Sequence, residues 1–257
     1  MTIVPYDEKA ILLSHVFVRE EEKDKIDIID FCVRHFRKNN PNTSIVISGH
    51  GVRPYTHTLS MCDDYFWTDN IVEADIGVGH PTIVNKGLDI LSSNNVDYVM
   101  KCRLDSIIAR ENVVQYCHDI ICKENKRVLI TTSNNFDCYM GDLFLYGPTD
   151  FIKQCWNEDT WFPTTTGLLS LGRNFASALG KPFPAKGFDC QRWDALLKQE
   201  ASYRSPVSIR WVDFRKHFNK IKSKNDVLTN RFDWKSMVWD DWPKENRYTE
   251  ESFYSDN

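Results

Sequence analysis

Three charged residues at the end of one largely apolar run carry the strongest chemical signal in the sequence. Lys101, Arg103 and Asp105 stand at alternate positions and follow the run at 96–100. On an extended strand such residues share one face, so two cations and a carboxylate converge there. An open α/β sheet places its ligand at the carboxyl ends of its strands. The stretch therefore predicts a binding site for a phosphate and a divalent metal. The alternative is a surface ion pair, which would contribute little to the free energy of folding.

The overall composition is that of a globular protein and argues against several classes. The chain has 257 residues, 42% of them hydrophobic, with a net charge of −4. This acidic balance disfavours a nucleic-acid-binding protein, whose affinity comes from neutralised phosphates. No segment approaches the roughly 18 apolar residues of a membrane span. A basic cluster at 215–224 is interpreted as a solvated face, with peripheral contact to a membrane-borne substrate as the alternative.

The cysteines bear on the cellular compartment. Eight of them are scattered through the chain without the paired spacing of a metal finger. Without a signal peptide at the start of the sequence, reduced thiols are the simpler interpretation, and we expect a cytoplasmic protein.

Apolar periodicity predicts alternating strands and helices. An apolar run at 10–17 predicts a first strand, helical spacing at 26–36 a helix, and residues 44–48 a second strand. Such a βαβ unit implies a parallel sheet. Further strands are predicted at 62–67, 128–132, 140–147 and 208–214, and further helices at 82–93, 111–123, 149–156 and 189–200.

The order of these features is similar to that of a known family. A helix with Asn85-x-Gly87-Leu88 precedes the strand that ends in charge. This resembles the nucleotide-sugar-binding half of GT-A glycosyltransferases, in which an Asn-x-Gly helix comes before a strand ending in Asp-x-Asp. More narrowly, the run from Tyr98 to Asp105 resembles the Tyr-x-x-Lys-x-Arg-x-Asp signature of WavE-type transferases of lipopolysaccharide and capsule synthesis. The segment 141–147 is similar to the strand that follows there, and the resemblance covers roughly residues 10–200.

The resemblance implies a fold and a domain plan. The fold is α/β and GT-A-like (Rossmann-like), with a mixed, mostly parallel sheet flanked by helices in a single domain over 1–257. Residues 10–156 would bind the nucleotide sugar and residues 157–242 would form the acceptor side. The final segment, 243–257, is expected to be a disordered tail.

The same resemblance implies an activity, which is hexosyl transfer from a nucleoside-diphosphate sugar to a glycan or lipid-linked acceptor in surface polysaccharide synthesis. The first Asp of Asp-x-Asp is Arg103 here, so Arg103 and Lys101 would meet the diphosphate while Asp105 faces Mn²⁺ or Mg²⁺. His217 is a further candidate metal ligand, with a surface histidine in a basic cluster as the alternative. The remaining candidates for binding the nucleotide sugar are Ser14, His15, Gly49, His50, Asp69 and Asn85.

Two carboxylates are candidates for the acceptor side. An inverting transfer needs a base for the acceptor hydroxyl, and we expect Asp189 in that role with Asp142 binding the acceptor. Asp189 also stands where an N-cap residue would stand, Asp142 could cap a turn instead, and His15 could be a buried core histidine.

Two other function classes stay open. The segment Glu73-Ala74-Asp75-Ile76-Gly77-Val78-Gly79 resembles the acidic glycine loop of S-adenosylmethionine-dependent methyltransferases. Arg103 in place of the first carboxylate is equally compatible with a catalytically inactive nucleotide-sugar-binding module.

Overall fold

Seven strands and six helices build the part of the chain that the computed structural model describes, which is residues 8–18, 24–69, 79–104, 111–132, 140–161, 167–181 and 199–203. The strands are β1 (Lys9–Val18), β2 (Ser44–Gly51), β3 (Asp64–Thr68), β4 (Tyr98–Arg103), β5 (Val128–Thr132), β6 (Met140–Pro148) and β7 (Ala201–Tyr203). The helices are α1 (Asp24–Asn39), α2 (Thr56–Ser60), α3 (Gly79–Ser93), α4 (Val113–Glu124), α5 (Thr149–Cys155) and α6 (Gly167–Ala178), with a 3-10 turn at Glu158–Thr160.

The strands form one sheet in the order β3-β2-β1-β4-β6-β5-β7. Strands β3, β2, β1 and β4 are mutually parallel, whereas β6 is antiparallel to both β4 and β5, and β7 is parallel to β5. Strand β6 thus runs against the other six. The predicted mixed, mostly parallel sheet flanked by helices is confirmed.

Two hydrophobic clusters cover the two faces of this sheet. On one face, Leu12, Val46 and Val99 pack with residues of α3, α5 and α6. On the other, Ile11, Ile47 and Met100 pack with residues of α1 and α4. Successive strand residues point to opposite faces, so the alternation along β1, β2 and β4 decides which side chains meet α3.

A residue distant in the sequence caps the start of helix α4 with a hydrogen bond. Asn112, just before it, has a positive φ of 49° and makes no side-chain cap. Instead the buried Asn40 accepts a hydrogen bond at Oδ1 from the Val113 amide (2.9 Å), while its own Nδ2 donates to the Phe36 carbonyl (3.3 Å). The side-chain amide of Asn40 thus provides a hydrogen-bond partner for a carbonyl near the end of α1 and for the first backbone N–H of α4.

The structure differs from the sequence prediction at several elements, among them the short helix α2, which was not predicted. The strand expected to carry Lys101, Arg103 and Asp105 ends as β4 at Arg103, and Leu104 is a turn residue whose amide donates to the Ser14 carbonyl (3.1 Å). Helix α6 was not predicted because loop-forming residues flank it closely, yet Leu171, Phe175 and Ala176 are buried in the core. Strand β7 was not predicted either, and its three residues pair with β5.

Two predicted elements, the strand at 208–214 and almost all of the helix at 189–200, lie outside the described residues. In the described part of the chain, no helix combines the length and the apolar character that crossing a membrane requires.

Candidate functional site

A row of three polar side chains crosses the middle of the sheet near its carboxyl edge. In the strand register, Ser14 of β1 stands between Ser48 of β2 and Arg103 of β4. All three lie on the face of α3, since Leu12, Val46 and Val99 belong to that cluster and precede them by an even number of residues. Ser14 and Ser48 are 0% exposed and Arg103 is 9% exposed. Neighbouring strands lie about 4.8 Å apart, so the row spans roughly 10 Å.

Lys101 lies one step deeper on the same face and is fully buried. Its Nζ is 4.4 Å from the centroid of the Trp156 ring, which in turn stacks on Trp161 at 5.2 Å. A cation over an indole face is attracted by the ring quadrupole, which offsets part of the cost of removing the ammonium group from water. Lys101 therefore brings a positive charge beneath the site.

Helix α3 supplies an amide to this region. Asn85 donates from Nδ2 to the Trp156 carbonyl (2.7 Å), and its Oδ1 is buried without a hydrogen-bond partner among the described residues. A Cβ at Gly87 would overlap the Leu12 side chain and lie 3.1 Å from Ser48 Oγ, so α3 sits directly on β1 and β2 there. The Asn-x-Gly pattern thus has two structural roles. Asn85 hydrogen-bonds α3 to the end of α5, and Gly87 lets α3 pack close to the sheet.

Two more predicted residues lie at the ends of β2 and β3. His50 is buried and pairs in register with Thr68, the residue before the exposed Asp69. Burial lowers the pKa of His50 below its ordinary value of 6.5, so the ring is neutral at pH 7. A neutral imidazole at this edge can both donate and accept hydrogen bonds.

Gly49 faces the other side of the sheet. A Cβ there would overlap the ring of Trp67, whose Nε1 donates to the Gly51 carbonyl (3.0 Å). The close approach that Gly49 permits is therefore made by Trp67 of the same chain. Its predicted contact with a nucleotide stays a prediction.

The backbone brings two further candidates to this edge. The register between β1 and β2 shifts between Ser14 and Phe17, which places His15 in an irregular stretch of the strand. Such irregularities often re-aim residues beside a ligand site. Phe144 of β6 pairs with Cys102, and because β6 is antiparallel to β4, Asp142 lies toward the carboxyl end of β4.

The remaining predicted residues, Asp105, Asp189 and His217, lie outside the described residues, as does most of the acidic loop at 73–79. Within the described ranges, no group of three or more His, Cys, Asp or Glu side chains could hold a metal ion. Ser48, Ser14, Arg103 and the neighbouring Lys101 are neutral or cationic, whereas the Glu158 carboxylate accepts a hydrogen bond from Thr82 near the start of α3 (2.6 Å). The neutral and cationic side chains suit an anion, and the predicted metal at Asp105 and His217 stays a prediction.

Sequence reasoning missed two residues of this region. Ser48 was treated only as the end of a strand, although its position two residues after Val46 was a signal that it shares the face of Ser14. Trp156 was interpreted only as the end of a helix. No local pattern indicates that it covers Lys101 and accepts from Asn85, since these contacts join distant parts of the chain.

Neither a protein-family model nor a curated protein matches the sequence. Among solved structures, the chain is similar to a protein of Desulfovibrio desulfuricans G20 that is provisionally assigned as a nucleotide-diphospho-sugar transferase. The two share 10% sequence identity with a TM-score of 0.43, over 78% of this chain and 80% of the other. A likeness this distant carries no argument about ligand or chemistry.

Proposed function

We propose that the chain is a glycosyltransferase that moves a hexosyl group from a nucleoside-diphosphate sugar to a glycan or lipid-linked acceptor in surface polysaccharide synthesis. The observation that carries the proposal is the row Ser48, Ser14 and Arg103 at the carboxyl edge of the parallel strands, with Lys101 beneath it and Asn85 of α3 beside it. Ligands of open α/β sheets bind at this edge.

The chemistry of a sugar nucleotide fits these side chains. Breaking the bond between the sugar and the diphosphate builds negative charge on the leaving group, and fixed positive charge near that group lowers the barrier. A guanidinium presents a planar set of donors that matches phosphate oxygens in pairs. The hydroxyls of Ser14 and Ser48 and the ring of His50 supply neutral donors and acceptors for the nucleoside.

The catalytic assignments rest on the resemblance and remain part of the proposal. Asp142 would bind the acceptor and Asp189 would take the proton from its hydroxyl. Mn²⁺ or Mg²⁺ at Asp105 and His217 would offset charge on the leaving group.

Donor hydrolysis tests the proposal. Purified protein is incubated with uridine-, guanosine-, cytidine- and adenosine-diphosphate sugars, and the released nucleoside diphosphate is measured, with and without Mn²⁺ or Mg²⁺. We expect slow release from one of these donors, because transferases hand the sugar to water when no acceptor is present. Arg103→Gln should abolish release, whereas Arg53→Gln, which alters an exposed arginine over the Tyr65 ring, should leave it unchanged.

Two other outcomes would decide differently. Nucleotide-induced thermal stabilisation without any release, in every metal condition, would favour the inactive binding module. Neither stabilisation nor release with any donor would overturn the proposal.

A further inference from the structure

We infer, resting on the proposed function, that Glu158 recognises the sugar of the donor. Its carboxylate accepts hydrogen bonds from hydroxyl groups of the hexose at the carboxyl edge of the sheet. No local pattern in the sequence indicates this role, because the place of Glu158 depends on contacts with distant segments.

The first support is the place of Glu158 in the fold. Its Oε2 accepts a hydrogen bond from the hydroxyl of Thr82 (2.6 Å), which lies in the first turn of α3. Helix α3 connects β3 to the parallel strand β4, so it begins at the carboxyl edge. Gly87 packs at the level of Ser48, and Thr82 precedes Gly87 by about 7.5 Å along the helix axis. The carboxylate therefore lies beyond the site row, on the side where ligands of such sheets bind.

The second support is the set of hydrogen bonds that fixes the 3-10 turn. The Trp156 carbonyl accepts from Asn85 Nδ2 of α3 (2.7 Å). The Asn157 carbonyl accepts from Asn174 Nδ2 of α6 (3.0 Å), and Thr160 Oγ1 donates to Asn174 Oδ1 (2.8 Å). Two helices thus hold the backbone before and after the carboxylate, which gives it the preorganised position that a binding residue needs.

The third support is the capacity that this carboxylate retains for a ligand. Glu158 is exposed, and its bond to Thr82 uses Oε2 alone. Among the residues that the structure describes, no other hydrogen bond or ion pair engages it. An ionised carboxylate only accepts hydrogen bonds, at roughly four lone-pair sites. It can therefore accept from two neighbouring hydroxyl groups, and such charge-assisted hydrogen bonds are stronger than neutral ones.

The fourth support is a second unsatisfied acceptor on the same helix. Asn85 follows Thr82 by three residues, so the two are neighbours on the surface of α3. Asn85 is buried, and its Oδ1 has no hydrogen-bond partner among the described residues. Both this oxygen and the carboxylate require an O–H or N–H donor. A hexose supplies several O–H donors on a neutral ring, whereas a diphosphate is anionic and is repelled by a carboxylate.

A purely structural role for Glu158 makes a different prediction. A carboxylate beside the start of a helix interacts favourably with the helix dipole. That interaction stabilises the fold whatever ligand is present. Its loss would lower the melting temperature and leave the preference for a sugar ester over a nucleoside diphosphate unchanged.

Calorimetry with matched pairs of ligands tests the inference. Uridine, guanosine, cytidine and adenosine diphosphates and their hexose esters are titrated into the full chain at one concentration of Mg²⁺ or Mn²⁺, so that the diphosphate contributes equally to both members of a pair. We expect Glu158→Gln to weaken binding of the preferred hexose ester about ten- to a hundredfold, as expected for lost hydrogen bonds to a charged group. The affinity for the matching nucleoside diphosphate should change by less than about threefold.

Two further variants sharpen the comparison. Asp159→Asn removes the neighbouring exposed carboxylate of the same turn and should leave both affinities unchanged. Thr82→Val removes the hydroxyl that orients the Glu158 carboxylate, and it should weaken binding of the hexose ester about three- to tenfold with little effect on the nucleoside diphosphate. The same comparison decides if Glu158→Gln does not fold.

The outcomes separate the inference from the proposed function. Equal losses for ester and nucleoside diphosphate, no loss in Glu158→Gln, or the same selective loss in Asp159→Asn would overturn the inference and leave the proposed transferase standing. A wild-type chain that binds neither a nucleoside diphosphate nor a hexose ester would overturn both.

Discussion

At the scale of single residues, position in the sheet decides what a charged side chain does. Lys101 and Arg103 share one face of one strand, yet Lys101 lies wholly beneath Trp156 and Arg103 ends the strand. Alternation in the sequence predicted the shared face correctly. It could not predict that Lys101 is more deeply buried than Arg103, because the Trp156 ring that covers Lys101 belongs to a distant segment of the chain.

Asp30 is a second charged residue whose setting matters. It is buried on α1 and accepts hydrogen bonds from Thr58 Oγ1 (2.6 Å) and Arg34 Nη2 (2.8 Å), with His57 Nε2 at 2.8 Å. Burial alone would raise the pKa of Asp30, but these hydrogen bonds and the charges of Arg34 and His57 outweigh it. They hold the pKa below its ordinary value of 3.8.

Asp30→Asn should therefore destabilise the protein in a pH-dependent way. A carboxyl whose pKa is lowered by folding stabilises the native state above its unfolded pKa, and that contribution is lost as the pH falls through its folded pKa. We expect urea denaturation at pH 7 to show a loss of about 1–3 kcal/mol. The gap between variant and wild type should narrow below about pH 4.

The control for this measurement is Asp89→Asn. Asp89 pairs with Lys153 at 2.6 Å, but both side chains are over 40% exposed. Exposed pairs contribute about 0–1 kcal/mol. An equal loss in the two variants, or a gap for Asp30→Asn that stays constant down to pH 2, would contradict the account of Asp30.

At the scale of elements, the contacts between strands and helices depend on small residues at single positions. Gly49 of β2 leaves room for the Trp67 ring of β3, and Gly87 of α3 leaves room for Leu12 of β1. The sequence shows that these residues are glycines. Only the assembled sheet shows that a neighbouring side chain fills the space beside them.

Gly49→Ala should loosen the pairing of β2 with β3. The new methyl group would overlap a rigid indole ring, so Trp67 must move and give up its hydrogen bond to the Gly51 carbonyl. Overpacking of this kind costs about 1–3 kcal/mol. Chemical denaturation measures the loss, and hydrogen exchange should show faster exchange confined to β2 and β3.

Ser48→Ala is the matched control one residue earlier on the same strand. It removes a buried hydroxyl that has no partner among the described residues, so it should be neutral or slightly stabilising. Destabilisation by Ser48→Ala as large as that by Gly49→Ala would show that β2 tolerates no change, and the argument from the Trp67 ring would fail.

At the scale of the whole molecule, the sheet has a protected centre and an exposed edge strand, β3. Strands β1 and β4 are paired on both sides and covered on both faces by the two hydrophobic clusters. Strand β3 is an edge strand whose five residues are all exposed or partly exposed. The site row crosses the protected strands, which suits a site that must hold its geometry.

Native-state hydrogen exchange should follow this arrangement. We expect amides of β1 and β4 to exchange only through global unfolding, and those of β3 to exchange through smaller openings, because the edge buries fewer apolar contacts. Mass spectrometry of peptides covering 9–18, 98–103 and 64–68 provides the measurement. Equal protection of β3 and β4 would contradict a stability gradient from centre to edge.

Much of this architecture is determined by local sequence. The sequence pattern located β1 to β6 and most helices, because buried strands and amphipathic helices each impose a spacing of their own. Alternation placed Lys101 and Arg103 on one face, and the βαβ start placed Ser14 and the end of β2 at one edge of the sheet. These features depend on neighbours along the chain.

The tertiary structure decided what neighbours along the chain cannot specify. It inserted β6 antiparallel between β4 and β5, joined Asn85 to Trp156 across 71 residues, and buried Lys101 under that tryptophan. It also aligned Ser48, Ser14 and Arg103 into one row. Each is a contact between distant segments, whose free energy exists only once both are folded against the same sheet. The sequence thus determined the chemistry of the candidate residues, and the packing determined which of them stand together.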